Sequence, residues 1–205
     1  MDKVNKYERS EFSEKGFIIG VSGKIGSGKD AVGDYLKKYG FRTENLAANV
    51  RRVCSILTGV SYETLLHRES KGIRLYDNTM SMGELFQIIG NGLREIVDED
   101  VWLDSLFNNL KSTDLIVITD VRYPNEVKEI ERRGGVVIRI NGDPIGIRES
   151  IRTGKSSDKR DLNAPSETSL DSHEFNYVIE NNGTLEDLHR KVDNIIKGLE
   201  FNKNP

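Results

Sequence analysis

The chain has 205 residues, with 30 Lys and Arg against 33 Asp and Glu, for a formal charge of −3. That length buries an apolar core without disulfides or metals, and the weakly acidic balance argues against a dedicated nucleic-acid coat or a membrane-surface binder, though not against a local basic site. The single cysteine, Cys54, excludes an internal disulfide and a cysteine-based zinc cluster and fits a reducing cytosol, and no apolar run approaches the roughly 18 residues of a membrane span.

Residues 1–16 are polar, lack an apolar signal core, and read as a flexible tail. Phe17–Gly23 (FIIGVSG) is the first strand-like run, followed by Phe41–Ala47, Leu115–Arg122, Val136–Asn141 and Tyr177–Glu180. Three of these are nearly continuous apolar stretches, the pattern of strands covered on both faces of a parallel sheet. Helical patterns fall over Lys29–Tyr39, Asn49–Leu57, Ser81–Val97, Val101–Leu110, Pro124–Arg133 and Thr184–Leu199. Ser81 with Glu84, and Thr184 with Asp187, have the spacing of capping pairs, and Pro124 stands at a first-turn position. Strands alternating with helices predict one doubly wound α/β domain, with ligands beyond the carboxyl ends of the strands. Asp143–Leu170 breaks the pattern. It is long, poor in periodic apolar residues and basic, and it reads as a mobile flap.

The strongest signal is Gly23-Lys24-Ile25-Gly26-Ser27-Gly28-Lys29-Asp30, with the G-x-x-x-x-G-K spacing of a phosphate loop between an apolar strand and an amphipathic helix. The glycines let the backbone curl so that N–H groups surround an anion, the helix start adds its dipole, and Lys29 brings a full charge. The eighth position is Asp30 where a Ser or Thr is usual; a carboxylate is also a hard ligand for Mg²⁺. LIVIT delivers Asp120 at the end of a buried strand, a second acidic station able to reach a Mg²⁺ shell or an attacking hydroxyl. Arg122 follows at the same edge, suited to a phosphate or carboxylate, and Glu126 lies one turn on, placed to orient it.

Three blocks, GKIGSGKD, ITDVRYPNEVKEIERRGGVVIRI and SETSLDSHEFNYVIENNGTLEDL, together resemble the deoxynucleoside monophosphate kinases of tailed phages over roughly Phe17 to Ile196. The animal-type phosphomevalonate kinases share a similar loop and a similar D-x-R and are the nearest rival. The resemblance implies a P-loop NTPase fold, a three-layer α/β/α with a parallel five-stranded sheet of nucleoside-monophosphate-kinase type, a flexible lid over about 143–170 and a helical acceptor-binding region over about 48–112. It implies transfer of the γ-phosphoryl of ATP, with Mg²⁺, to a deoxynucleoside monophosphate in the cytoplasm of a phage-infected host. Gly23, Gly26, Ser27, Gly28, Lys29, Asp30 and Ala31 fall on its ATP loop, where Ala31 stands for a frequent Thr. Val50 and Arg51 fall on the segment gripping the incoming monophosphate. Gln87, Gly90, Asn91, Arg94 and Trp102 fall on the helical acceptor region, where Gly90-Asn91 replaces a frequent Gly-Thr. Asp120, Arg122 and Glu126 match D-x-R-x-x-x-E, and Glu167 matches an acidic position that reaches a nucleotide or bonds the loop.

Lys29, Asp120 and Arg122 are thus the expected catalytic set, Asp30 and Asp120 the expected metal ligands, and Lys29, Arg51, Arg94 and Arg122 the cations expected to converge on two anions. The flap supplies Arg148, Arg152, Lys155, Lys159 and Arg160, with Arg148 and Arg152 the leading lid candidates. Trp102 equally suits packing between helices, and Cys54 reads as an inert buried thiol. The expected partners are small nucleotides, with no membrane and no stable nucleic-acid binding, and the choice between monomer and homodimer stays open. Three alternatives compete: phosphomevalonate as acceptor, a hydroxymethyl pyrimidine in DNA as acceptor, or a non-catalytic nucleotide switch.

Overall fold

The computed structural model describes residues 16–111, 113–155 and 161–199. The expected N-terminal tail, apart from Gly16, and the flap cations Lys159 and Arg160 lie outside the described residues. The chain divides into two compact units, one made of residues 1–44 with 111–205 and the other of Asn45–Leu110.

The first unit is built on five parallel strands. β1 (Phe17–Ser22) lies at the centre, between β5 (Leu115–Val121) and β6 (Val136–Asn141), and β2 (Arg42–Glu44) and β7 (Tyr177–Glu180) form the edges, in the order β2-β5-β1-β6-β7. Ile19 stands opposite Val117 on one side and Val136 on the other. Continuous apolar runs become central strands because both faces are covered. On one face Ile19, Val21, Val117, Ile138 and Ile140 pack with Val32 and Leu36 of α1 (Lys29–Leu36), and with Leu188, Val192 and Ile196 of the C-terminal helix over Leu185–Gly198. The helix over Pro124–Arg132 covers the other face. A Cβ at Gly20 would lie 2.9 Å from Ile130 Cδ1, so glycine lets that helix sit close against β1. Each wholly buried Ile or Leu contributes about 1.5–3 kcal/mol.

Two departures from the sequence reading have local causes. The second strand covers Arg42–Glu44 only, because Phe41 and Leu46 are buried anchors on either side of it and the chain enters a helix at Ala47. The flap contains two short helices, over Ile147–Arg152 and Pro165–Thr168. Asp143 nucleates the first by accepting from the N–H groups of Ile147 and Arg148 at 2.9 Å each, and Pro165 opens the second.

The second unit holds α2 (Ala47–Thr58), α3 (Tyr62–Leu66), a hairpin of β3 (Arg74–Leu75) and β4 (Met80–Ser81), α4 (Met82–Ile96) and α5 (Val101–Phe107). Val50, Cys54, Leu65, Met82, Leu85 and Trp102 form its core. Cys54 is wholly buried and burial pushes its thiol pKa up, as befits an inert thiol. In chain order, the helices of the first unit after α1 are α6 (Pro124–Arg132), α7 (Ile147–Arg152), α8 (Pro165–Thr168) and α9 (Leu185–Gly198). Among the described residues no helix is long and apolar enough to cross a membrane.

Candidate phosphate-binding site

β1 ends at Ser22 and the chain curls before α1 begins at Lys29. The curl needs glycine at three points: φ is +155° at Gly23, +78° at Gly26 and +99° at Gly28, which serves as N-cap of α1. Space is short as well. A Cβ at Gly26 would meet Asp143 Oδ1 at 2.7 Å, and one at Gly28 would meet Asn181 Nδ2 at 2.6 Å. Asn181, buried just after β7, donates from Nδ2 to the carbonyl of Ser27 at 2.9 Å and so holds the curl from behind. Ser27 itself is fully buried beside Gly23, and Ala31 packs against the core. The first-turn amides of α1 have no helical acceptor, and with the helix dipole they favour an anion here.

Lys29 Nζ donates to the Lys24 carbonyl at 2.8 Å, folding the ammonium back over the curl. Its pKa is lowered from 10.5 to about 8, mainly by burial and then by the neighbouring Arg122 charge; Glu167 and Asp30 pull the other way, and Arg139 lowers it further. Asp30 is exposed in the first turn of α1. Asp120 lies near the carboxyl end of β5, where the register against β1 slips between Gly20 and Ser22. Such bulges recur beside active sites, where they re-aim side chains.

Arg122 is held on three sides. Its backbone N–H donates to Glu126 Oε2 at 2.6 Å, and its Nη1 donates to the Ser166 carbonyl and to Glu167 Oε1, both at 2.8 Å. Glu126 also accepts from the Tyr123 N–H at 3.1 Å, so its buried carboxylate fixes the turn that carries Arg122. Glu167 Oε2 accepts from the Ile25 N–H of the loop at 2.9 Å.

Sequence reasoning missed Arg139 and Asp171. Arg139 lies near the end of β6 and donates to Ser22 Oγ and to Asp171 Oδ1 at 3.1 Å each; Asp171 Oδ2 also takes Lys24 Nζ at 2.6 Å. An arginine inside VVIRIN, an otherwise apolar strand, was the available signal. A cavity of about 710 Å³ opens beside this group, lined by Lys24, Arg139, Arg148, Asp171, His173 and Phe175 among others. Of the flap cations, Arg148 donates to the Ile25 carbonyl at 3.3 Å and to the Gly142 carbonyl at 2.7 Å. Arg152 is exposed and pairs with Glu149 of its own helix, and Lys155 is exposed.

The remaining expected residues belong to the helical unit. Val50 is buried, and Gly90 lies against it. Trp102 is 4% exposed and donates from Nε1 to the Gly90 carbonyl at 2.9 Å, a packing arrangement. Gln87, Asn91 and Arg94 follow at i, i+4 and i+7 on one face of α4, with Arg94 Nη1 donating to the Glu99 carbonyl at 3.2 Å. Arg51 is half-buried on α2, and no described residue pairs with it.

Among the described residues no cluster of three acidic, His or Cys side chains could cage a metal. A Mg²⁺ that arrives with phosphates needs only one or two carboxylates, and Asp30, a hard oxygen donor in the first turn after the loop, fits that demand.

The sequence profile described as deoxynucleotide monophosphate kinase matches residues 57–192. A protein of Acanthamoeba polyphaga mimivirus, provisionally named a deoxynucleotide monophosphate kinase, is 27% identical over 197 aligned residues, covering 85% of this chain and 93% of the relative. Shikimate kinase from Bacteroides thetaiotaomicron superposes with a TM-score of 0.53 at 15% identity, over 90% of this chain and 98% of its own. TT1252 from Thermus thermophilus gives 0.53 at 22% identity, over the same shares. These two likenesses bear on the fold, and the expected P-loop kinase architecture is the one present.

Proposed function

Because the chain belongs to the deoxynucleotide monophosphate kinase family, we propose that it transfers the γ-phosphoryl group of ATP to a deoxynucleoside monophosphate, releasing ADP and the deoxynucleoside diphosphate. The observation that carries this reading is the phosphate loop, curled on Gly23, Gly26 and Gly28 with Lys29 folded over it and Arg122 close enough to lower the Lys29 pKa. The loop lies before the stretch that the family profile matches, so it supports the reading independently.

The loop amides and Lys29 hold the triphosphate, with Lys29 leaving the Lys24 carbonyl for a phosphate oxygen. An oxygen of the acceptor's phosphate attacks the γ-phosphorus, and the bond to the β,γ-bridging oxygen breaks. That nucleophile is already ionised near neutral pH, with a second phosphate pKa of about 6, so no side chain has to remove a proton. The chain's work is positioning and charge stabilisation, carried by Lys29 and Arg122. Asp30 and Asp120 would hold Mg²⁺, which supplies neutralisation of the phosphate oxygens. On the acceptor side, Arg51 would take the monophosphate and the α4 face of Gln87, Asn91 and Arg94 would read the nucleoside; Val50, Gly90 and Trp102 form the packing that supports them. Arg148 and Arg152 extend the cation set on the lid.

A coupled assay of ADP release across the four common deoxynucleoside monophosphates tests this. Turnover with at least one is expected, with Lys29→Ala and Asp120→Asn each losing about 10²–10³-fold in kcat, the scale of a removed charge-stabilising group. No acceptor-dependent turnover with any of them would end the reading. Turnover with phosphomevalonate or with hydroxymethylated DNA instead would move the acceptor, and tight ATP binding without turnover would favour a switch.

A further inference from the structure

We propose that Glu167 is a positioning residue for this reaction: its single carboxylate ties the Arg122 guanidinium to the Ile25 amide of the phosphate loop and so fastens the carboxyl end of the basic flap to the loop. Glu167 is 5% exposed. A carboxylate so deeply buried needs partners for both oxygens. It has them, with Oε1 on Arg122 Nη1 at 2.8 Å and Oε2 on the Ile25 N–H at 2.9 Å, both charge-assisted bonds. The same Ile25 peptide is gripped from its other side, where its carbonyl accepts from Arg148 Nη1 at 3.3 Å. One peptide of the loop is therefore bonded by both ends of the flap, Arg148 from α7 and Glu167 from α8. One carboxylate thus joins the flap, the loop and Arg122.

A carboxylate that only stapled two segments would matter through folding alone. Glu167 also sets where the Arg122 guanidinium points, because Arg122 Nη1 donates to Glu167 Oε1 and to the Ser166 carbonyl beside it, both at 2.8 Å.

The proposal rests on the kinase reading for its kinetic half and on nucleotide binding for its loop half. The full-length chain, Glu167→Gln, Glu167→Asp, Arg122→Ala and the Arg122→Ala/Glu167→Gln double variant are compared in steady-state turnover, ADP affinity and Tm. Glu167→Gln should lose about 10–100-fold in kcat in the wild-type background and less than about threefold in the Arg122→Ala background, because it acts through that guanidinium. Its ADP affinity should fall at least about threefold, since the loop loses its tie at Ile25. A kcat and ADP affinity both within twofold of wild type overturn the proposal. So does an equal loss of kcat in the two backgrounds, or a loss of activity that tracks Tm. Should Glu167→Gln not fold, wild-type kcat in Glu167→Asp, which shortens the tie, overturns it alone. Wild-type chain that binds ADP but turns over no acceptor defeats the kinase reading and leaves ADP affinity to decide on Glu167; a chain that binds no ADP defeats both.

Discussion

Lys29 serves two opposed demands. Binding a triphosphate wants it charged, whereas burial and the neighbouring Arg122 and Arg139 lower its pKa from 10.5 to about 8. The unfolded chain then binds more protons than the folded one between pH 8 and 10.5, so this residue's contribution to stability rises with pH across that window and is unfavourable below it. Lys29→Met should therefore stabilise the empty protein at pH 7, by something on the order of 1–3 kcal/mol, and the gain should vanish above pH 10.5. Calorimetric Tm values across that range check the sign, and the same variant should lose the Tm increase that ADP gives wild type. The residue scale was legible where spacing alone fixes chemistry, as in GKIGSGKD. It was opaque where a role depends on partners far along the chain: Glu167 meets Arg122 across 45 positions and Asp171 meets Arg139 across 32, and no local pattern announces such pairs.

Among the elements, α1 and α9 are joined by a polar seam as well as by the core. Asp193 on α9 accepts from Tyr35 at 3.0 Å and from Tyr39 at 2.6 Å, and pairs with Lys38 at 3.0 Å. The Tyr39 hydroxyl is the chief cause that lowers the Asp193 pKa from 3.8 to about 2, with Lys38 and Tyr35 adding to it. A depressed carboxylate stabilises above its unfolded pKa, and that stabilisation is lost as pH falls from about 4 through about 2. Asp193→Asn should cost about 1 kcal/mol at pH 7, a solvent-screened value, and the gap to wild type in urea-melt midpoints should close toward pH 2. Helix starts were readable because caps are local: the Ser81–Glu84 and Thr184–Asp187 boxes are both present. The hairpin of β3 and β4 was not, since two-residue strands carry no alternation, and its tip places Tyr76, Asp77 and Asn78 at positive φ without a glycine.

At the scale of the molecule the chain comprises a sheet unit with the phosphate loop and a helical unit, Asn45–Leu110, that carries Arg51 and Arg94. If the second unit takes the acceptor, Arg51→Ala should raise the acceptor KM about tenfold or more, the scale of a lost charge-assisted contact, and leave the ATP KM within about twofold. Equal changes in both would deny that division. The sheet's order has a further consequence for how the chain is made. Phe17 pairs with Leu115 and Ile19 with Val136, so the innermost strand is made well before either neighbour and completes its pairing only once β6 is in place. Until then FIIGVS is an uncovered, charge-free ribbon, while the helices of Asn45–Leu110 mature on contacts near at hand. Pairing alone leaves the face under α9 bare, so nascent chains arrested before that helix is made should clump and recruit chaperones more than full-length ones, a difference that a series of arrested-synthesis lengths would resolve.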